Sequence, residues 1–135
     1  MRTASGTAML GLAVIVPLAM ARAALPSAGF SAAQAATGAA VATERCAVCH
    51  GDALVGGEHA PALKGAAFWA NWQGKPARAL YSRIISTMPL DDPGSLSPEQ
   101  TIALTAYIAR LNGARDGADV VLPDTLNGLS LVAGN

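Results

Sequence analysis

The chain has 135 residues, a formal net charge of zero, 13% charged residues and 4% aromatic residues. One domain fits that length once a targeting segment is set aside. So little aromatic bulk leaves a small core in need of a staple, and the charge balance excludes a nucleic-acid binder.

Residues 1–35 read as a secretory signal. Arg2 gives the positive start, and Met9–Met20 (MLGLAVIVPLAM) is an apolar run too short to span a membrane. Small-x-small cleavage sites follow at Ala21-Arg22-Ala23 and at Ala33-Gln34-Ala35, so cleavage is expected between 21 and 35. An uncleaved N-terminal anchor is the alternative. Removing 1–35 takes away Arg2 and Arg22, so Lys plus Arg falls from 9 to 7 while Asp plus Glu stays at 9; the mature chain is about −2.

Residues 36–113 form the expected domain. Thr37–Arg45 predicts a short helix, capped by Thr37, with Gly38 and Ala42 on one face. It runs into Cys46-Ala47-Val48-Cys49-His50, the attachment signature of a c-type haem. The spacing lets one helical turn present both sulfurs to one porphyrin edge, where thiols add across the vinyl groups. His50 can then turn under the ring as the proximal iron ligand. Three other readings compete: a redox dithiol, a structural disulfide, and a zinc site shared with His50 and His59. The dithiol motif belongs in a βαβ setting that this sequence lacks, and the His-His spacing is wrong for a zinc finger. Export supports the haem, because thioether attachment takes place outside the cytoplasm.

Gly51–Gly57 is a glycine-rich turn, and Pro61–Gly65 a short loop. Ala66–Trp72 holds Phe68, Trp69 and Trp72, most of the mature chain's aromatic mass. Pro76 opens a helix with Leu80, Tyr81 and Ile84 inward, stopped at Thr87-Met88-Pro89. The last helix starts at Ser97, with Pro98 first and Gln100 completing a capping box, and ends at Asn112-Gly113. Its apolar face is Ile102, Leu104, Tyr107, Ile108 and Leu111. Residues 114–135 carry no sustained period and read as a tail packed on or extending from the domain.

The sixth iron position points to Met88, the one methionine of the mature chain, placed before a backbone-fixing proline. His59 is the rival. It lies nine residues from His50 and would have to swing around the ring edge.

These residues resemble class I cytochrome c from Thr37 to Gly113. The matches are Gly38 eight residues before Cys46, the CAVCH motif, Pro61-x-Leu63-x-Gly65, Trp72, Thr87-Met88-Pro89 and Leu104-x-x-Tyr107. The resemblance implies an all-α cytochrome c fold, with three to five short helices around one covalently bound haem c. It implies that the Pro61 carbonyl accepts from the His50 Nδ1–H, that Trp72 bonds a haem propionate, and that Gly38 lets the first helix cross the last at Leu104 and Tyr107. Ala42 stands where the family places an aromatic, Ala60 where it places a glycine, and Trp69 competes with Trp72. The stretch from Met88 through the last helix, with its apolar-ended tail, resembles small cytochromes associated with periplasmic quinoprotein (PQQ) alcohol and aldehyde dehydrogenases.

The implied function is electron transfer in the periplasm, not catalysis. Redox partner proteins are the implied partners: a dehydrogenase as donor, and a cytochrome or oxidase of the respiratory chain as acceptor. No membrane span is expected after cleavage, and the protein is expected to be a monomer or to form transient complexes. A generic donor to a terminal oxidase, a haem enzyme or gas-binding protein with an open distal site, and a disulfide-stapled structural protein are the competing readings.

Overall fold

The computed structural model describes residues 29–117 and 123–131. The expected signal segment lies outside them, apart from 29–35. Helix α1 spans Ala32–Arg45, preceded by the two-residue strand β1, Phe30–Ser31. The expected start at Thr37 is therefore corrected. Ser31 is the cap: its Oγ accepts from the Gln34 N–H (3.1 Å), and Gln34 Oε1 accepts from the Ser31 N–H (3.2 Å). This is a capping box, and the alanines between it and Thr37 are strong helix formers that carry the helix back to it. Phe30 and Ala35, on either side of the cap, are buried as in a hydrophobic staple.

Cys46 bends the chain, and one further turn, α2 (Ala47–His50), follows with the His50 N–H on the Cys46 carbonyl (2.9 Å). Helix α3 covers Ala66–Trp72, which was not expected to be helical. Helix α4 covers Ala77–Thr87 with Leu80, Tyr81 and Ile84 buried. It ends as expected, because Met88 precedes proline and takes the extended conformation (φ −124°, ψ 149°).

Helix α5, Pro98–Leu111, has the expected start. Ser97 caps it, Pro98 is its first residue, and Gln100 closes the box. The Ser97 hydroxyl also donates to Glu99 (2.8 Å), which holds that exposed carboxyl below its ordinary pKa. Thr101 and Thr105, fully buried, donate their hydroxyls to carbonyls one turn back. Such internal bonds let polar residues sit in the core at no desolvation penalty.

The tail contributes more than its sequence suggests. Strand β2 (Asp116–Gly117) pairs in parallel with β1, in the register Phe30 with Asp116 and Ser31 with Gly117. A 3-10 turn at Pro123–Gly128 packs on α4, burying Leu126, and Leu131 exchanges backbone hydrogen bonds with Gly74 and Lys75. Among the described residues no helix is long and apolar enough to cross a membrane.

The tightest packing is α1 on α5. A Cβ at Gly38 would fall on the Ala103 carbonyl and come within 2.8 Å of Tyr107 Cβ. Both are fixed parts of a helix that cannot swing aside, so only glycine permits this crossing. Gly38→Ala is therefore expected to destabilise the protein by at least about 1–3 kcal/mol, the usual range for overpacking. Guanidinium unfolding of the haem-loaded protein measures it, and an unchanged midpoint would contradict the crossing.

Candidate functional site

Among the described residues the helices line a cavity of about 660 Å³, within the range of roughly 300–1,000 Å³ expected of ligand pockets. Leu80 and Ile84 of α4 and Leu104 and Ile108 of α5 wall it with hydrocarbon. Cys46, Cys49, His50, Pro61, Trp72 and Met88 all line it, so the six residues expected to hold or contact a haem meet in one place.

The bend at Cys46 creates the first side of the site. It keeps Cys46 and Cys49 on one turn, half-buried and exposed respectively, and the two thiols are not joined to each other. Burial pushes the Cys46 thiol pKa up, while the Arg45 charge pulls it partly back and Cys49 adds a smaller upward push. Among the described residues no cluster of three or more His, Cys, Asp or Glu could hold a metal ion, so the zinc reading has no support there.

His50 is buried, and its Nδ1 lies 2.6 Å from the Pro61 carbonyl. A carbonyl only accepts, so the ring proton sits on Nδ1 and the Nε2 lone pair is left for a metal. Gly56 makes this contact possible. Its φ is +82°, and a Cβ there would stand 2.6 Å from the Ala62 nitrogen and 2.9 Å from the Pro61 carbonyl carbon. The Gly56 N–H also bonds the His50 carbonyl (3.0 Å). The glycine turn thus lays the Pro61 peptide against the histidine.

Met88 is half-buried against the core, in the extended segment after α4, with its N–H on the Ile84 carbonyl (3.0 Å). His59 also lines the cavity, but it is exposed and lies two residues before Pro61, on the loop that already holds His50.

Trp72 stacks on buried Phe68 (centroids 6.0 Å apart, planes 20° apart), with Lys75 Nζ 5.2 Å from its ring centre. Asn71 and Lys75 also line the cavity. Trp69 meets Phe68 edge-on at 5.3 Å and does not line the cavity. The cavity therefore favours Trp72 over Trp69 as a contact for a bound group.

Sequence reading missed Arg45. Its guanidinium donates to Ser95 Oγ (2.9 Å) and lies 3.9 Å from the Asp92 carboxylate, tying the end of α1 to the loop beyond Met88. Fifty residues separate Arg45 from Ser95, so no local pattern could reveal the contact.

The donor set suits a covalently attached haem. It has two thiols on one turn, an imidazole with free Nε2, a soft thioether, and apolar walls edged by an indole and an ammonium. Comparison with known proteins agrees. The family model described as cytochrome c oxidase, cbb3-type, subunit III matches residues 33–108. The sulfane dehydrogenase SoxCD from Paracoccus pantotrophus is similar at 26% identity and a TM-score of 0.61, covering 91% of this chain and 68% of that one. The thiosulfate dehydrogenase TsdBA from Marichromatium purpuratum is 29% identical over 55% of this chain and 17% of that one, with a TM-score of 0.46. The comparison with curated proteins gives no match.

Proposed function

The chain belongs to the family described as cytochrome c oxidase, cbb3-type, subunit III, as a monohaem class I cytochrome c with covalent haem c, and from that premise we propose that it is an exported one-electron carrier of the periplasm. The observation that carries this reading is the presence of His50 and Met88 in the lining of one apolar cavity. When bound, the haem supplies an iron that exchanges one electron. Cys46 and Cys49 hold the group by thioether bonds. His50 would hold the iron through Nε2, with Nδ1–H given to Pro61, which makes the ring a better donor. Met88 would offer its thioether sulfur to the iron, a soft donor that would favour the reduced state and a high potential. With both His50 and Met88 held by the iron, no position would remain for a substrate, which favours a carrier over a haem enzyme or gas sensor.

The donor in this reading is a dehydrogenase, and the acceptor a cytochrome or oxidase of the respiratory chain. The resemblance of the Met88-to-tail sequence favours a quinoprotein alcohol or aldehyde dehydrogenase. The similarity to SoxCD favours a second reading, a donor that oxidises sulfur compounds. Docking would use the exposed edge of the site. Val48 and Leu90 both line the cavity and are 85% and 75% exposed, so they rim its mouth with apolar surface. With only Lys64 and Lys75 as lysines, long-range steering is modest.

Export is part of the proposal, with cleavage at the earlier small-x-small site, near Ala23. Cleavage after Ala35 would remove the Ser31 cap, the buried Phe30 and the β1–β2 pair. Mass spectrometry of the exported protein checks this: a mature chain retaining Phe30 and Ser31 is expected.

Met88→Ala is expected to keep covalent haem while its potential falls by a sizeable part of the roughly 0.8 V that axial ligation spans. Added imidazole or carbon monoxide should bind readily, and the weak far-red band of the oxidised protein should vanish. An unchanged spectrum and potential would remove Met88 as the ligand and promote His59.

Stopped-flow mixing of oxidised protein with each dehydrogenase class and its substrate tests the donor. Fast haem reduction that barely changes with ionic strength is expected, slowed when Val48 or Leu90 is replaced by Asp. Reduction that collapses with salt would argue against the apolar edge. Reduction by neither class would favour a generic carrier feeding a terminal oxidase.

A further inference from the structure

Asn112 follows α5, where sequence alone reads it as a helix stop. Its side chain does more. It is buried (6% exposed), and Nδ2 donates both to the Ile108 carbonyl (2.8 Å) and to the Leu63 carbonyl (2.9 Å). Its Oδ1 accepts from the Gly65 N–H (2.9 Å). The amide thus faces two acceptors with its two donors and one donor with its oxygen. The reverse orientation would set oxygen against two carbonyls, so the chemistry admits only one.

Two of these bonds reach 47 and 49 residues back, into the Pro61–Gly65 loop. Pro61, two residues before Leu63, gives its carbonyl to His50. On its other side the loop is held by the Leu63 N–H on the Leu54 carbonyl (2.9 Å). A helix stop needs only the local bond to Ile108. The two distant bonds fix the height of the loop above the end of α5, and so the place of the Pro61 oxygen.

We propose that Asn112 is a positioning residue for the axial histidine: its buried amide sets the loop whose Pro61 carbonyl orients the His50 ring. The proposal rests on the reading of His50 as an iron ligand. Freeing the loop loosens the Nδ1–H bond, which makes the imidazole a poorer donor and favours the reduced iron. Asn112 therefore acts on the potential without touching the haem.

The test uses the haem-loaded protein with Asn112→Ala and Asn112→Asp. The aspartate keeps the shape and the acceptor for Gly65 but turns a carboxylate oxygen toward two carbonyls. Thr105→Ala is the control, since Thr105 is buried in α5, bonds only within its helix and does not line the cavity. Proton NMR follows solvent exchange of the His50 Nδ1–H, and voltammetry gives the midpoint potential. Both Asn112 variants are expected to speed that exchange at least about tenfold, and Asn112→Ala, which adds no charge, to raise the potential with the far-red methionine band retained. Thr105→Ala is expected to lower the unfolding midpoint and change neither. Asn112 variants that behave like Thr105→Ala would reduce Asn112 to a structural cap and overturn the proposal.

Should the Asn112 variants fail to hold haem, native-state exchange of the unmodified protein decides. The Gly65 amide and the His50 Nδ1–H are expected to lose protection together as guanidinium rises, and separate openings would overturn the link. Ligation itself is read on the unmodified protein, from the strongly shifted ring protons of an iron-bound imidazole. Their absence would remove His50 as the ligand, while the exchange measurements would still judge the Asn112 link.

Discussion

The contact between α1 and α5 at Gly38 is the constraint on which the rest of the geometry depends. The missing Cβ brings the α1 backbone onto the Ala103 carbonyl, closer than any other residue allows. Both helices then lead into the site. One turn beyond Arg45, α1 delivers Cys46, Cys49 and His50, while Leu104, next to Ala103, and Ile108 face the cavity from α5. The crossing thus fixes the distance between the attachment motif and the wall opposite. A chain with 4% aromatic residues has little else to span that space, which is why a large apolar group suits it.

Helix packing does not place the ligand loops, and short polar clamps do that work. Gly56 and the Pro61 carbonyl seat the His50 ring, and Asn112 ties the same loop to α5. On the opposite side Arg45 reaches Ser95 and Asp92, beyond Met88. The Arg45–Asp92 pair is solvent-screened, with side chains 34% and 69% exposed, and is worth no more than about 1 kcal/mol. Its contribution is direction: it links the motif helix to the segment carrying the sulfur. Buried clamps such as Asn112 differ, because a lost partner leaves a desolvated carbonyl or amide unpaired, at a cost of about 1–3 kcal/mol per group.

Local chemistry was legible in the sequence, and distant chemistry was not. Ser97, Pro98 and Gln100 announce α5 because a capping box is read within four residues. The identical device at Ser31 and Gln34 was overlooked, since an alanine-rich stretch after an apolar leader reads equally as a cleavage region. α3 was missed because seven residues, with a glycine before them, carry no resolved period. The tail's own contacts were not legible for another reason. Leu126 and Leu131 are buried by α4 and by the Gly74–Lys75 segment, partners far away in the chain. Cys46, Cys49 and Met88 stood out because their types are rare in this sequence, with two cysteines and one methionine beyond residue 20, while Pro61 and Trp72 came from the family resemblance. Arg45 and Asn112 escaped because their types are common and their partners lie roughly fifty residues off.

One consequence of the attachment motif reaches the surface. Cysteines three apart on a helical turn face one way, so the residues between them point elsewhere. Val48 lies between them and is 85% exposed. Its size and polarity are therefore free of core packing, and a charged residue there would cost the fold almost nothing. The same holds for Leu90, 75% exposed just after the Met88-Pro89 stop. Single exposed apolar residues need no explanation on most surfaces. Two that rim one cavity mouth, on separate segments and both without a packing role, are better explained by what meets that mouth. The spacing that tethers the group thus also creates an outward position at its edge, and in the proposed carrier an apolar side chain fills it where a partner would dock.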